Sequence, residues 1–223
     1  MGAINRTYVR KRGTIFLVDY VAPIEAVVPG VQGRVLGVLA RTDTELTMRS
    51  VAQLAAVSVN RAVSVLNHLI ALGLVERREA GSAALVRLAR DNEAAKAVIS
   101  LGNLRSTVIN RLRSEAKTIR PAPASLVLFG SFVLGEARSS SDVDVLAVRP
   151  RRVVEDNQKW IEGLAHWVER GARIIGNPVN LLTVGQDELP GLLRRKQSVW
   201  SEIAKDGLVL LGSDLPDLTR ATS

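Results

Sequence analysis

The chain has 223 residues, 47% of them hydrophobic, with no cysteine and two histidines, His68 and His166. That is enough apolar material for one large domain or two small ones. It excludes disulfides, thiolate metal sites, cysteine nucleophiles and a histidine-built zinc centre, so any metal is held by oxygen.

The formal charge of +8 is concentrated upstream: residues 1–120 carry 18 Lys and Arg against 9 Asp and Glu, and residues 121–223 carry 12 against 13. Such an asymmetry suits a polyanion partner for the N-terminal half, a solvated basic face being the alternative. The sequence holds no long uncharged apolar run and no signal-peptide core, so no membrane span and a cytoplasmic location are expected.

Residues 1–30 read as an N-terminal arm or strand, with the basic stretch "RTYVRKRG" (6–13) as a DNA-contacting arm or a solvated tail and "TIFLVDYVAP" (14–23) as a strand. Over 31–90 the pattern predicts a helix at 31–42, a short helix at 49–57 and a third at 59–73. The third starts after Ser58, a residue type that caps helices, carries Val63, Leu66, Leu69, Ile70 and Leu72 at helical spacing, and ends on Gly73. "LVERREAGSAALVRLA" (74–89) reads as two strands about Ala80-Gly81-Ser82. This order of elements, from about Gly33 to Ala89, resembles a winged helix-turn-helix. The resemblance implies binding of double-stranded DNA, with Ser58, Asn60, Arg61, Ser64 and Asn67 on the helix that reads bases and Arg77, Arg78 and Arg87 on the hairpin reaching phosphates. A protein-contact module with a basic surface is the alternative. Residues 91–120 read as a connecting helix whose apolar stripe packs in a core or forms a homodimer seam.

Pro121 and Pro123 mark the start of the last domain, 121–223. Within it, "LFGSFVLGEARSSSDVDVLAV" (128–148) passes from an apolar strand through Gly130-Ser131 to a second strand. On a strand, residues i and i+2 share a face, so Asp142 and Asp144 project together while Val143 and Val145 face the core. Two carboxylates side by side repel unless a cation lies between them, and with only oxygen donors at hand a hard cation such as Mg²⁺ is the natural guest. Gly130 and Ser131, at a helix start, offer backbone N–H groups and a hydroxyl to nucleotide phosphates.

A Gly-Ser, ten residues, then Asp-x-Asp is the pattern of the nucleotidyltransferase superfamily that includes DNA polymerase β, and the chain most resembles the minimal nucleotidyltransferases of prokaryotes. Gly135, Glu136, Ala137 and Arg138 resemble the family's link, and "SVWSEIAKDGLVLLG" (198–212) its closing helix and strand. The resemblance covers about residues 125–212. It implies a mixed sheet flanked by helices, hence an α/β (α+β) chain of two domains. It also implies Mg²⁺ and an NTP, read as ATP, with in-line attack on the α-phosphoryl group and release of pyrophosphate.

The family's third acid, which completes a second metal site or activates the acceptor hydroxyl, falls on the strand "NPVNLLTV" (177–184) at Asn180. An amide cannot act as a carboxylate base, so the sequence leaves Asp187 or Glu188 to replace it, slow transfer, or none. Leu134 is a second departure, since many members carry arginine there. Two functions remain open: a DNA-binding nucleotidyltransferase, and a transcription regulator whose nucleotidyltransferase-like domain only senses nucleotide. A toxin-antitoxin role follows by fold-level analogy alone.

Overall fold

The computed structural model describes residues 5–8, 19–81, 83–136, 141–194 and 198–220. The chain divides into two compact units, Ala22–Arg105 and a larger one formed by the residues on either side. It starts with β1 (Asn5–Tyr8), part of the larger unit. The smaller unit follows as α1 (Pro23–Val27), α2 (Val31–Arg41), β2 (Leu46–Thr47), α3 (Met48–Leu54), α4 (Val59–Ala71), β3 (Val75–Ala80), β4 (Ala83–Leu88) and α5 (Glu93–Gly102). The chain continues as α6 (Leu104–Ala116), β5 (Ser125–Phe129), α7 (Ser131–Leu134), β6 (Val143–Arg149), α8 (Gln158–Ile175), β7 (Val179–Gly185), α9 (Leu189–Leu193), α10 (Ser198–Asp206), β8 (Leu208–Gly212) and α11 (Leu215–Arg220).

In the smaller unit, α3 is capped by Thr47, whose Oγ1 accepts from the Ser50 N–H at 3.0 Å. Helix α4 turns Ala62, Leu66 and Leu69 inward, a spacing of four and three residues that keeps one stripe in the core. Leu72, expected on that stripe, is exposed because it lies past the last helical residue. Ser58 holds the N-cap position but makes no side-chain capping bond. The sheet runs β2-β4-β3, all antiparallel, and its Val75, Val86 and Leu88 join Val35, Leu39 and Val51 in the core.

The single connecting helix expected over 91–120 is two helices, broken at Asn103. Asn92 caps the first, its Oδ1 accepting from Ala94 N–H at 2.8 Å. The second buries Val108, Ile109 and Leu112.

The larger unit is built on a five-stranded sheet in the order β1-β7-β6-β5-β8. Only β6 and β7 run parallel, and α8 supplies the crossover that a parallel pair needs. Strand β5 is buried throughout, and in β6 the run Val145 to Val148 is buried, as expected of strands covered on both faces. One face carries Leu146, Val148, Leu182 and Val184 against Trp200, Ile203, Leu215 and Leu218. Toward the other face lies α8, whose Gly171 approaches Leu112 and Val179, and whose Trp167 is buried and donates to the Leu112 carbonyl at 3.4 Å. His166 is exposed.

The N-terminal residues also differ from expectation. Arg6 to Tyr8, expected in a DNA-contacting arm or a solvated tail, belong to an edge strand, Asn5–Tyr8, antiparallel to β7. Most of the strand expected at 14–23 lies outside the described residues, and its end at Pro23 opens α1. Among the described residues no single helix is long and apolar enough to cross a membrane.

Candidate active site

Strand β5 ends at Phe129, and Gly130, at φ 74° and ψ −160°, turns the chain into α7. Only glycine occupies that backbone region without strain. A second reason for glycine is contact: a Cβ built on Gly130 would lie 3.0 Å from Asp144 Oδ2, so the carboxylate rests directly on the turn. Ser131 opens the helix, and Phe132, fully buried, pins it to the core. Tyr20 packs edge-on against Phe132, with ring centroids 4.9 Å apart. Its phenol donates to the carbonyl of Ile175, and burial pushes its pKa up to about 12.

Asp144 pairs in register with Phe129 on one side and with Asn180 on the other. Asp142 immediately precedes β6 and is exposed, whereas Asp144 is half-buried. By strand alternation Asp144 and Asn180 lie on the face of Leu146 and Leu182, at the rim of that core. Asn180 donates its side-chain amide to both acids, to Asp142 Oδ2 at 3.1 Å and to Asp144 Oδ1 at 3.3 Å. The structure therefore brings Gly130, Asp142, Asp144 and Asn180 together, with Ser131 next in the chain.

Asn177 was not singled out in the sequence. It is 2% exposed, and its Nδ2 donates to the Ser141 carbonyl at 3.0 Å. With the Val143 N–H bonded to the Pro178 carbonyl at 2.8 Å, it fastens both sides of Asp142 to the start of β7.

Asp187 and Glu188 do not replace the missing acid. Because β6 and β7 are parallel, Asp144 and Asn180 share one end of the pair, while Arg149 faces Gly185 at the other. Gly185 lies five positions along the strand from Asn180, a span of about 16 Å at the usual rise. Asp187 is engaged there by Arg151 at 2.6 Å. Leu134 is 53% exposed, so the position departs from arginine without entering the core. Of the expected link, Gly135 and Glu136 close α7, while Ala137 and Arg138 lie outside the described residues.

Two carboxylates are a hard donor set, and the neighbouring amide donates to both. They suit one Mg²⁺ that keeps waters and phosphate oxygens as its other ligands. Among the described residues no group of three or more Asp, Glu, His or Cys side chains is placed to hold a metal ion.

In the smaller unit, Ser58, Asn60, Arg61, Ser64 and Asn67 are all exposed on α4 or at its N-cap. The hairpin arginines are exposed too, but each has an acidic partner. Arg77 meets Glu79 at 2.6 Å, Arg78 Nε donates to Glu45 at 3.1 Å, and Arg87 Nε donates to Glu76 at 2.7 Å. The hydrogen bond and charge of Arg78 hold the Glu45 carboxyl below its ordinary range.

Residues 109–188 match the family model described as nucleotidyltransferase domain. No curated protein matches the chain. Among solved structures, a crystal structure of a toxin-antitoxin with AMP-PNP is 18% identical, with a TM-score of 0.35 over 51% of this chain and 82% of that one. A mutant of the toxin-antitoxin MntA-HpeT is 15% identical, with the same TM-score and coverage, 0.35 over 51% and 82%. The chain thus carries a match to the nucleotidyltransferase domain family over residues 109–188, and the Gly130-Ser131 turn, Asp142, Asp144 and Asn180 all fall inside it.

Proposed function

We propose that the protein transfers a nucleoside monophosphate from an NTP, read as ATP, to an acceptor, and that its Ala22–Arg105 unit is a winged helix that binds double-stranded DNA. The observation that carries the first part is the seating of Asp144 on Gly130 inside a matched nucleotidyltransferase domain. Asp142 and Asp144 would hold Mg²⁺, which neutralises phosphate charge when bound. Gly130 and Ser131 would take phosphate oxygens on their N–H groups, and the Ser131 hydroxyl would donate to another. In the transfer, an acceptor oxygen bonds to the α-phosphorus as the bond to the pyrophosphate oxygen breaks. Asn180 cannot take the acceptor's proton, so that proton leaves with solvent or with a base that the acceptor itself brings.

One observation favours a second reading, a nucleotide-sensing regulator without transfer: the position in register with Asp144 holds an amide that donates to both acids. DNA binding is supported by the exposed Asn60, Arg61, Ser64 and Asn67 on α4 and by the basic N-terminal half.

Calorimetric titration of Mg²⁺ with each nucleoside triphosphate, together with a pyrophosphate-release assay, separates the readings. Binding and release that both vanish in Asp142→Ala/Asp144→Ala support the transferase. Binding without release, across RNA ends, proteins and small molecules offered as acceptors, supports the sensor. Failure to bind any triphosphate would reject both.

A further inference from the structure

The amide of Asn180 presents donors, not its oxygen, to the acidic pair, with its Nδ2 3.1 Å from Asp142 Oδ2 and 3.3 Å from Asp144 Oδ1. A side-chain amide has two N–H hydrogens on one nitrogen, and here each has a carboxylate to meet. Rotating the group to offer Oδ1 would forfeit both bonds and aim a lone pair at two negative charges. We infer that Asn180 takes the place of a second cation, so that the site holds a single divalent cation with its triphosphate rather than the pair that the nucleotidyltransferase resemblance implies. The inference rests on the nucleotidyltransferase reading above.

Geometry supports this count. Mg²⁺ is commonly held by one or two carboxylates with phosphates and waters. A second cation would have only the shared acids, phosphate oxygens and an inverted amide. Other acids do not help: Asp187 and Glu188 lie at the far end of the β6–β7 pair, and among the described residues no group of three or more Asp, Glu, His or Cys side chains is placed to hold a metal ion. Asn180 itself is fixed by register, with Asp144 across from it on β6 and Tyr8 on β1.

The test uses Mn²⁺ as the probe, with AMP-PNP and the full chain. Electron paramagnetic resonance counts bound Mn²⁺ above the Asp142→Ala/Asp144→Ala background and reveals exchange between neighbouring ions. The wild type is expected to take one Mn²⁺ per chain with no exchange-coupled spectrum. Asn180→Asp is expected to take two and to show coupling.

Two coupled ions in the wild type would overturn the inference and leave the nucleotidyltransferase reading standing. So would an Asn180→Asp chain that still takes one. No Mn²⁺ above background in the wild type would overturn the functional reading along with it.

Discussion

The buried Asn177 is joined to Ser141 by a hydrogen bond, the Asn177 amide donating to the Ser141 carbonyl at 3.0 Å, one residue before the first carboxylate of the site. The bond ties the segment entering β6 to the segment entering β7, and so sets where Asp142 stands. Replacing Asn177 with alanine removes that bond, at a cost of about 0.5–1.5 kcal/mol. Urea unfolding should show a lower midpoint at unchanged slope. Mn²⁺ affinity should fall in the same variant, because Asp142 loses its anchor. An unchanged midpoint and affinity would show that the Val143–Pro178 backbone bond positions the loop alone.

Gly130 and Gly30 provide a matched pair for the turn. Both precede a helix in nearly the same conformation, φ 74° and ψ −160° against φ 83° and ψ −154°. Around Gly30 an added Cβ meets nothing within 4 Å, whereas at Gly130 it meets Asp144 Oδ2 at 3.0 Å. Gly30→Ala should therefore report backbone strain alone, about 1–3 kcal/mol. Gly130→Ala should carry a similar strain and, in addition, displace Asp144 and weaken Mn²⁺ binding by tenfold or so. Equal Mn²⁺ affinity in wild type and Gly130→Ala would mean that Asp144 is free to move without loss.

Period and spacing made half of this site legible. Alternation along β6 put Asp142 and Asp144 on one face, and the ten-residue separation from Gly130-Ser131 pointed to the turn; both meet in the structure. Asn180 came from the family resemblance, which sets a third acid on the strand that the structure places in parallel register with β6. Asn177 carried no such signal. An Asn before a Pro reads as a turn residue, and only its burial shows that the amide has a structural partner.

Partners distant in sequence account for the other departures. Charge counting could not see that Glu45, 33 residues away, meets Arg78, nor that a basic N-terminal stretch contributes a strand to the edge beside β7. The break between α5 and α6 falls at Asn103, next to Gly102, where an apolar stripe alone reads as continuous. Distance along β7 likewise removes Asp187, which sequence proximity to Asn180 had suggested.

Tyr20 predicts an alkaline signature. Its phenol has an ordinary pKa of 10.0 and is raised to about 12 by burial in the fold. Between these values the unfolded chain gives up the proton while the folded chain keeps it. The contribution is thus complete below pH 10 and is lost as pH rises toward 12. After a discount for solvent screening the loss is about 1–2 kcal/mol. Tyr20→Phe should remove this slope while retaining the ring contact with Phe132, although it leaves the Ile175 carbonyl without its donor and lowers stability at neutral pH. Parallel alkaline slopes for the two proteins would refute the assignment.

The DNA reading separates two kinds of arginine. Arg61 lies exposed in the first turn of α4, the helix assigned to base reading, while Arg87 is held by Glu76 at 2.7 Å and Arg77 by Glu79 at 2.6 Å. A hairpin arginine must exchange its glutamate for a phosphate, so part of the gain is offset by the lost ion pair, itself worth about 0–1 kcal/mol at an exposed site. Arg61→Ala should cost about 1–3 kcal/mol of affinity and relax preference at one base position. Arg87→Ala should weaken all sequences evenly and reduce the slope of log affinity against log salt by about 1. Fluorescence anisotropy on a selected site and a scrambled one, across a salt series, measures both. If Arg61→Ala changes neither affinity nor preference, α4 does not read bases, and the exposed face of this unit contacts protein instead.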